Sequence, residues 1–251
     1  MLKKSHLFAF NAWVKGLVLF CRPHRFLGFT ERLNLFFSNT VGLSRWISLQ
    51  AKSPFNDFYT PGRDGKKREQ LYKQVILDQH LEGQPIDYLE FGVASGGSFF
   101  WWLQENNHPD SRFYGFDTFE GLPEDWGLGF RKGDMSSGMP ELNDQRAVFI
   151  KGLFQDSLPP FLREYKNPGR KKIIHLDADL FSSTLFALAS LSPFLKPGDI
   201  LLFDEFNVPN HEYFAFKIFS ESFYIRTRLL GAVNNYHQVA LRIEHNPASP
   251  V

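Results

Sequence analysis

This chain has little cysteine and almost no net charge, and each of these features excludes a class of protein. Cys21 is the only cysteine in 251 residues, and the formal net charge at pH 7 is +1. A single cysteine builds neither an internal disulfide framework nor a cysteine-based zinc site, so we expect a reducing, cytoplasmic environment. A nearly neutral chain has no global attraction for nucleic acid, and no such partner is expected.

A long uninterrupted apolar run is also lacking. The N-terminal stretch 7–20 is apolar, but it contains Asn11 and Lys15 and is shorter than the roughly 20 residues that cross a membrane. Basic, bulky residues follow at 21–25, where a signal peptide would offer a small-residue cleavage site. We therefore expect no stable membrane span. Residues 7–20 are predicted to form an accessory helix that packs on the domain or on a partner; the alternative is peripheral contact with a membrane surface.

Apolar and aromatic residues are abundant enough for one large core. The chain is 43% hydrophobic and contains 28 phenylalanines, which suits one large domain with an accessory segment. We place the accessory helical segment at residues 1–65 and the main domain at residues 66–251. Breaks in the N-terminal helical pattern are expected at Pro23, Gly42 and Pro54. Assembly into a homo-oligomer is kept as an option.

Strand and helix patterns alternate from residue 66 onward. Strands are predicted at residues 86–91, 112–116, 147–151, 172–176 and 200–203, and helices at residues 66–81, 98–106, 158–165, 182–195 and 212–222. The strands are continuous apolar runs, as expected when helices cover both faces of a parallel sheet. Two last strands, at 224–230 and 237–243, flank a turn at 231–235 and should pair antiparallel. The expected fold is α/β: a doubly wound, mainly parallel seven-stranded sheet with a C-terminal antiparallel hairpin.

A glycine-rich turn follows the first predicted strand. Gly92, Gly96 and Gly97 lie at the carboxyl end of that strand, where open α/β sheets bind ligands. Their spacing differs from the Gly-x-Gly-x-x-Gly of a dinucleotide site. Glu90 on the strand suits a ligand with a cationic end and is a poor neighbour for a pyrophosphate. A nucleoside with an amino-acid tail therefore fits better than NAD, and an ordinary strand-to-helix turn is the structural alternative.

Acidic residues end three further strands. Asp117 ends the second strand, where a carboxylate typically accepts hydrogen bonds from ribose hydroxyls. Asp177 and Asp179 follow the fourth strand, and Asp204 and Glu205 follow the fifth. Crowded carboxylates raise one another's pKa values unless a cation neutralises them. Oxygen-only ligands favour Mg²⁺, with Ca²⁺ or Mn²⁺ as options; solvated helix-capping acids are the alternative.

Five blocks of sequence, taken in order, resemble one family of enzymes. They are Leu-Glu-Phe-Gly-Val-x-x-Gly-Gly-Ser at 89–98, Gly-Phe-Asp-Thr-Phe-Glu-Gly-Leu-Pro-Glu at 115–124, Lys-Gly-Leu-Phe-Gln-Asp-Ser-Leu-Pro at 151–159, His-Leu-Asp-Ala-Asp-Leu-Phe-Ser-Ser-Thr at 175–184 and Pro-Gly-Asp-Ile-Leu-Leu-Phe-Asp-Glu-Phe at 197–206. Together they resemble the macrocin O-methyltransferase (TylF-like) family, whose members use S-adenosylmethionine and Mg²⁺ to methylate sugar hydroxyls in antibiotic biosynthesis. The resemblance implies the Rossmann-like fold of class I methyltransferases. Residues 1–60 lie outside it.

The resemblance also implies roles for individual residues. S-adenosylmethionine would be contacted by Glu90, Gly92, Ser95, Gly96, Ser98, Asp117, Thr118, Asp156 and Ser157. Within that set Glu90 and the 92–98 loop would hold its methionine end and Asp117 its ribose, while residues 152–157 would lie near its adenine. Asp177, Asp204 and Glu205 would bind the metal, and Asp179 would be the general base. The family more often has aspartate at position 205.

We therefore expect a Mg²⁺-assisted, S-adenosylmethionine-dependent O-methyltransferase that acts on a small glycoside or other polyol-type acceptor. A glycosyltransferase that uses Asp177-x-Asp179 and a non-catalytic methyltransferase-like binding module are the alternatives. Residues 118–144 form a long connection and are expected to face the substrate or to form a lid. His211, after the metal acids, is the alternative base.

Overall fold

The chain forms two compact units, which the computed structural model describes over residues 4–50, 52–53, 55–126, 129–166 and 169–248. One unit comprises Met1–Gly42 and the other Leu43–Val251. The second unit thus begins ahead of residue 66, where the sequence pattern put the start of the main domain. The assignment of a function to residues 66–251 stays a prediction.

The first unit is helical. It contains helix α1 (Lys4–Phe20), helix α2 (His24–Leu27), a 3₁₀ turn (Gly28–Thr30) and the opening turns of helix α3 (Glu31–Leu49). The break expected at Gly42 is wrong, because α3 continues through it; an interior glycine costs only about 1 kcal/mol. Pro54 lies outside the described residues. Over the described ranges, no helix is long and apolar enough to cross a membrane.

The second unit is built around a seven-stranded sheet. Its strands are β1 (Ile86–Phe91), β2 (Arg112–Asp117), β3 (Ala147–Lys151), β4 (Lys171–Leu176), β5 (Ile200–Phe203), β6 (Arg226–Val233) and β7 (Gln238–His245). Its further helices are α4 (Lys66–Asp78), α5 (Gly97–Glu105), α6 (Phe154–Glu164), α7 (Phe181–Leu191) and α8 (Glu212–Ser222), with a 3₁₀ turn at Ser192–Phe194. The strand order is β3-β2-β1-β4-β5-β7-β6. The first five strands pair in parallel, and β7 pairs antiparallel with β5 and β6. The predicted α/β fold is confirmed.

Burial on both faces explains the continuous apolar runs of the central strands. All six residues of β1 and all four of β5 are buried. Alternate side chains point to opposite faces, so Leu89 and Phe91 join one core layer while Ile86 and Tyr88 join the other. Aromatic contacts hold each layer together: the Phe91 and Phe116 rings stack with centroids 4.9 Å apart, and an aromatic contact of this kind contributes about 1 kcal/mol beyond its buried area.

The C-terminal hairpin differs from its predicted bounds. β6 runs through Gly231, and the turn lies at residues 234–236, which have positive φ. A Cβ at Gly231 would lie 2.6 Å from the Cδ1 of Leu71 on α4 and 3.0 Å from the carbonyl oxygen of Phe55. Gly231 therefore permits a close approach between β6 and its neighbours and does not mark the turn.

Helix α6 also begins earlier than predicted. It starts at Phe154 and contains Pro159 and Pro160 in its interior. Proline favours the first turn of a helix, which is why the sequence pattern suggested a start near residue 158. Packing overrides that preference, since the Phe154 ring lies 5.2 Å from the Phe91 ring in the core.

A buried ion pair joins the start of β4 to the residue before β5. The Nζ of Lys172 lies 3.4 Å from the Oδ2 of Asp199, and the two side chains are 0% and 3% exposed. Asp199 also accepts hydrogen bonds of 2.9 Å from the backbone N–H groups of Lys172 and Lys196. Burial lowers the pKa of Lys172 and raises the pKa of Asp199. Each charge is therefore stabilised mainly by its partner.

We expect replacement of Asp199 to destabilise the protein more than replacement of Lys172. Asp199→Ala should lower the free energy of unfolding by about 3–5 kcal/mol, because it leaves a buried ammonium and two N–H groups without an acceptor. Lys172→Met should cost less, because the Asp199 carboxylate keeps both N–H donors. Urea unfolding of the two variants measures this difference, and equal losses would contradict it.

Candidate functional site

The carboxyl ends of the central strands meet at one place on the sheet. β1 lies between β2 and β4, with Phe91 in register with Phe116 and with Leu176. The backbone ladder continues beyond the strands: Gly92 N–H donates to the carbonyl of Phe116 (2.9 Å), and Asp177 N–H donates to that of Phe91 (2.9 Å). Asp204 N–H likewise donates to the carbonyl of Leu176 (3.0 Å). This pairing brings together the residues that follow β1, β2, β4 and β5.

Gly92 permits the closest of these approaches. Its φ is +93°, and a Cβ there would lie 1.8 Å from the carbonyl oxygen of Asp177. Only glycine satisfies both conditions. Three non-glycine residues around the same place also have positive φ: Ala94, Phe119 and Asp179. Backbone strain of this kind is typical of functional sites.

Asp117 organises the glycine-rich turn. Its Oδ2 accepts hydrogen bonds of 2.8 Å from the N–H groups of both Val93 and Ala94. Its Oδ1 accepts one of 2.7 Å from the N–H of Phe119. The sequence pattern suggested a ribose contact for this carboxylate, but it gave no sign of these bonds to the turn.

Five carboxylic acids lie close together at the ends of β4 and β5. The sequence pattern identified Asp177, Asp179, Asp204 and Glu205. The structure adds Glu212 in the first turn of α8, which is fully buried and accepts a 2.9 Å hydrogen bond from the N–H of Glu205. An acid at a helix start looks like an ordinary partner of the helix dipole, so the sequence alone did not single out Glu212.

Burial and mutual repulsion shift the pKa values of these acids upward. Burial, reinforced by Asp204 and Asp179, raises the pKa of Asp177 well above its ordinary value. Burial and Asp204 raise the pKa of Asp179 to about 6, and burial and Asp179 raise the pKa of Glu205 to about 7. Asp179 and Glu205 therefore titrate close to neutral pH.

Arg68 on α4 is the cation beside these acids. Its Nη1 lies 3.3 Å from the Oδ2 of Asp204. Burial alone would lower the pKa of Arg68, but the neighbouring Asp204, Tyr72 and Asp177 raise it above its ordinary value. The sequence pattern missed this residue, because the run 66–68 looks like a solvated helix start.

The predicted metal ligands have the donor atoms that a hard cation prefers, but their side chains are not arranged around one ion position. Asp177, Asp204 and Glu205 offer only oxygen donors, as Mg²⁺ prefers. The Oδ1 of Asp204 and the Oε2 of Glu205 are buried without a hydrogen-bond partner, which is costly unless a ligand compensates. In the part of the chain that is described, however, no three His, Cys, Asp or Glu side chains converge on one ion position. Arg68 forms an ion pair with Asp204 instead.

A cavity of about 260 Å³ opens beside the acids. Six of the predicted site residues line it: Gly92, Asp117, Thr118, Asp177, Asp179 and Glu205. Its other walls include Leu122 and Met135 from the 118–144 segment and Leu153 and Gln155 before and within α6. The predicted orientation of that segment toward the site is therefore observed, although Gly127 and Leu128 within it lie outside the described residues.

Trp126 fixes the same segment over the acids. Its indole N–H donates to the carbonyl of Asp179 (3.1 Å), and its ring lies 6.1 Å from that of His211. Burial lowers the pKa of His211, whose Nδ1 has no hydrogen-bond partner. His211 is thus an uncharged imidazole near the site, as an alternative base would be.

Glu90 does not line the cavity. It is 1% exposed and accepts a hydrogen bond from the hydroxyl of Tyr88. The Nδ1 of His175 lies 2.7 Å from the same hydroxyl, and its Nε2 lies 3.2 Å from the hydroxyl of Tyr72. Since the Tyr88 hydroxyl donates to Glu90, it accepts from Nδ1–H, which leaves Nε2 to accept from Tyr72. His175 is a hydrogen-bonded core residue, as the sequence suggested.

The remaining predicted cofactor contacts surround the cavity without lining it. Ser95 is exposed, whereas Gly96 is buried with φ +85° at the start of α5. Ser98 is buried. In α6, Asp156 is exposed, and the hydroxyl of Ser157 donates to the carbonyl of Leu153 (2.9 Å). Their predicted contacts with a cofactor stay predictions.

Comparison with known proteins points to one domain type. Residues 89–206, just under half of the chain, match the family model described as a methyltransferase domain. This segment contains the second half of β1, all of β2 to β5 and every residue that the resemblance assigned to the cofactor, the metal or the base. Over this segment the chain is similar to methyltransferase domains.

Two curated relatives are sugar O-methyltransferases by name. The chain is 29% identical over 166 residues to 8-demethyl-8-(2,3-dimethoxy-alpha-L-rhamnosyl)-tetracenomycin-C 4'-O-methyltransferase of Streptomyces olivaceus, a match that covers 57% of this chain and 62% of the relative. It is 24% identical over 178 residues to mycinamicin III 3''-O-methyltransferase of Micromonospora griseorubida, covering 59% and 68%. The chain thus spans less than two thirds of the length of the first relative.

Solved structures support the fold. The calicheamicin methyltransferase CalS11 superposes with a TM-score of 0.55 at 20% identity, covering 82% of this chain and 91% of that one. The sheet order and the C-terminal antiparallel pair are those of class I methyltransferases, as the resemblance implied.

The raised pKa of Glu205 predicts a pH-dependent effect of its removal. Below pH 4.5, the ordinary pKa of glutamate, Glu205 should be protonated in both the folded and the unfolded protein. Above about pH 7 it should be ionised in both, and burial and the neighbouring acids make this charge unfavourable in the folded protein. In metal-free buffer, Glu205→Gln should match the wild type in stability near pH 4.5. It should become more stable by about 1–2 kcal/mol as the pH rises through 7, allowing for solvent screening.

Thermal unfolding at several pH values measures this difference. The exposed Glu141→Gln is the matched control and should show no such trend. A Glu205→Gln variant that is less stable than the wild type at pH 8 would contradict the repulsion among these acids.

Proposed function

We propose that this protein is an S-adenosylmethionine-dependent O-methyltransferase that acts on a hydroxyl of a sugar or other polyol-type small molecule. One observation carries the proposal: a glycine-rich turn, a carboxylate at the next strand and a group of acids surround one cavity at the strand ends of a methyltransferase domain. The names of the two curated relatives support a sugar hydroxyl as the acceptor.

The cavity walls suit the parts of S-adenosylmethionine. Leu122, Leu153 and Met135 offer an apolar surface for an adenine ring. Asp117 uses one lone pair of Oδ1 on Phe119, so that oxygen can accept a further bond from a ribose hydroxyl. The turn would hold the methionine end, and the buried carboxylate of Glu90, which does not line the cavity, would act on its ammonium only at longer range. S-adenosylmethionine supplies an electrophilic methyl carbon on a sulfonium.

Asp177, Asp204 and Glu205 would hold Mg²⁺ once their side chains rearrange to converge on one ion position. The two buried carboxylate oxygens without partners support this assignment, and the ion would compete with Arg68 for Asp204. Bound there, Mg²⁺ would lower the pKa of an acceptor hydroxyl and fix its direction.

Asp179 would take the proton of the acceptor hydroxyl. With a pKa of about 6, its carboxylate is mainly ionised at neutral pH yet basic enough to accept a proton. Transfer would join the acceptor oxygen to the methyl carbon that S-adenosylmethionine supplies, with the carbon–sulfur bond broken in exchange, and Asp179 would keep the proton of the acceptor hydroxyl. Trp126, bonded to the carbonyl of Asp179, would exclude water and hold the carboxyl in place.

The methyltransferase-domain match favours methyl transfer over the glycosyltransferase alternative. The non-catalytic alternative also predicts cofactor binding, so only turnover separates it from the proposal.

Asp117→Ala should weaken S-adenosylhomocysteine binding roughly 10- to 100-fold, because hydrogen bonds to a charged group are lost and the turn loses two acceptor contacts. Titration calorimetry measures the affinity, with the exposed Asp110→Ala as the matched control. The melting temperature checks that both variants fold. Absence of binding by the wild-type protein would refute the proposed cofactor.

Asp179→Asn should lower the rate of methyl transfer by about 10²- to 10⁴-fold, because the base is lost, while cofactor affinity stays within a few-fold. The readout is S-adenosylhomocysteine release with a panel of small glycosides that includes methyl α-L-rhamnoside, with Mg²⁺ and with a chelator. His211→Asn is the companion variant. A larger loss in that variant would assign the base to His211, and cofactor binding without turnover on any panel member would favour the non-catalytic alternative.

A further inference from the structure

The first unit exposes an unusual amount of apolar surface. Most of the exposed large hydrophobic side chains of the described residues lie between Leu7 and Val41. Phe8 is 74% exposed, Phe20 82% and Phe29 87%. Exposed apolar surface on this scale is typical of an interaction site in a stable protein.

Helix α1 arranges this surface as a stripe. Leu7, Phe10, Val14 and Leu17 recur at intervals of three and four residues, so they share one helix face. Trp13 lies beside them, with its ring 6.2 Å from that of Phe10. Asn11 borders this stripe, four residues after Leu7, and Lys15 lies further round the helix. The exposed Phe8 and Leu19 share the face of Lys15, so apolar side chains surround most of the helix.

The charge of this unit is strongly one-sided. Its sequence contains one acid, Glu31, and six basic residues: Lys3, Lys4, Lys15, Arg22, Arg25 and Arg32. Because the whole chain has a net charge of only +1, the remainder of the chain is net negative. The apolar stripe and the basic charge thus occur on the same short segment.

We propose that residues 4–42 form a docking surface for an anionic lipid bilayer, with α1 lying in the plane of the interface. Exposed aromatic and aliphatic side chains with basic residues close by in the chain are typical of segments that bind at a membrane surface. Basic residues near the surface add attraction to anionic lipids. The Asn11 and Lys15 side chains, together with the short length of the helix, suit a position on the bilayer and not across it.

The charge argues for lipid over a second copy of this unit. Two copies paired through the same surface would bring their basic residues together, and like charges at an interface oppose association. An anionic bilayer supplies both the apolar phase and the opposite charge. This proposal is independent of the chemistry at the strand ends.

Sedimentation of the full chain with lipid vesicles tests the proposal. The protein should co-sediment with phosphatidylcholine vesicles that contain phosphatidylglycerol, at least about tenfold more than with phosphatidylcholine alone, since each basic residue near an anionic surface contributes roughly fivefold. High salt should weaken the binding, because it screens exposed charges.

Two variants separate the apolar and the electrostatic parts. Phe10→Ser with Leu17→Ser should lose at least about tenfold in binding, because two apolar side chains no longer enter the bilayer. Ala9→Ser with Ala12→Ser, outside the stripe on the same helix, is its control. Arg22→Glu with Arg25→Glu should abolish the preference for phosphatidylglycerol, whereas Arg163→Glu with Lys166→Glu, exposed residues of the other unit, should keep it.

The outcomes are decisive in both directions. Binding that needs phosphatidylglycerol, weakens with salt and is lost in the stripe variant supports the proposal. Absence of co-sedimentation at low salt overturns it. So does sedimentation velocity showing a dimer that the stripe variant dissociates while the vesicles bind neither protein; that result would assign the surface to a second copy of the chain.

Discussion

The parallel pairing of β1 with β4 is the constraint on which the site depends. It places Gly92 against the backbone of Asp177 so closely that a Cβ at residue 92 would lie 1.8 Å from the carbonyl oxygen. The turn after β1 and the acids after β4 therefore share one wall of the cavity. Asp117, at the end of β2, completes this wall by accepting hydrogen bonds from two N–H groups of the turn. A change in the register of β1 would separate all three parts.

The acids beside this wall are held in an energetically unfavourable state. Burial and mutual repulsion raise the pKa values of Asp177, Asp179 and Glu205, so the folded protein contains ionisable groups that prefer to be neutral. Arg68 relieves part of the repulsion through its bond to Asp204. A site with unfavourably placed charges gains free energy when a cation binds or a carboxyl accepts a proton. The arrangement therefore suits either event.

The chain combines two physically different surfaces. The second unit has a small cavity at the strand ends with apolar walls and a group of acids on one side, whereas the first unit exposes aromatic and aliphatic side chains with basic residues among them. The cavity has the character expected for a small-molecule reaction. The exposed surface of the first unit has the character expected for contact with an extended apolar partner. The blocks that resemble the methyltransferase family end at Phe206 and leave the first unit uncovered, so the family match explains only one of the two.

The sequence by itself determined the seven strands, their mainly parallel arrangement and the acids at their ends, because buried parallel strands are continuous apolar runs and ligands bind at their carboxyl ends. It did not determine Glu212, Arg68 or the bonds from Asp117 to the turn. These depend on contacts between residues far apart in the chain, which no local pattern records. Gly231 is a second example. Its residue type suggested a turn, but in the structure it permits a close approach between β6 and Leu71 of α4. Tertiary structure decided which acids face the cavity, because register and helix packing direct each side chain.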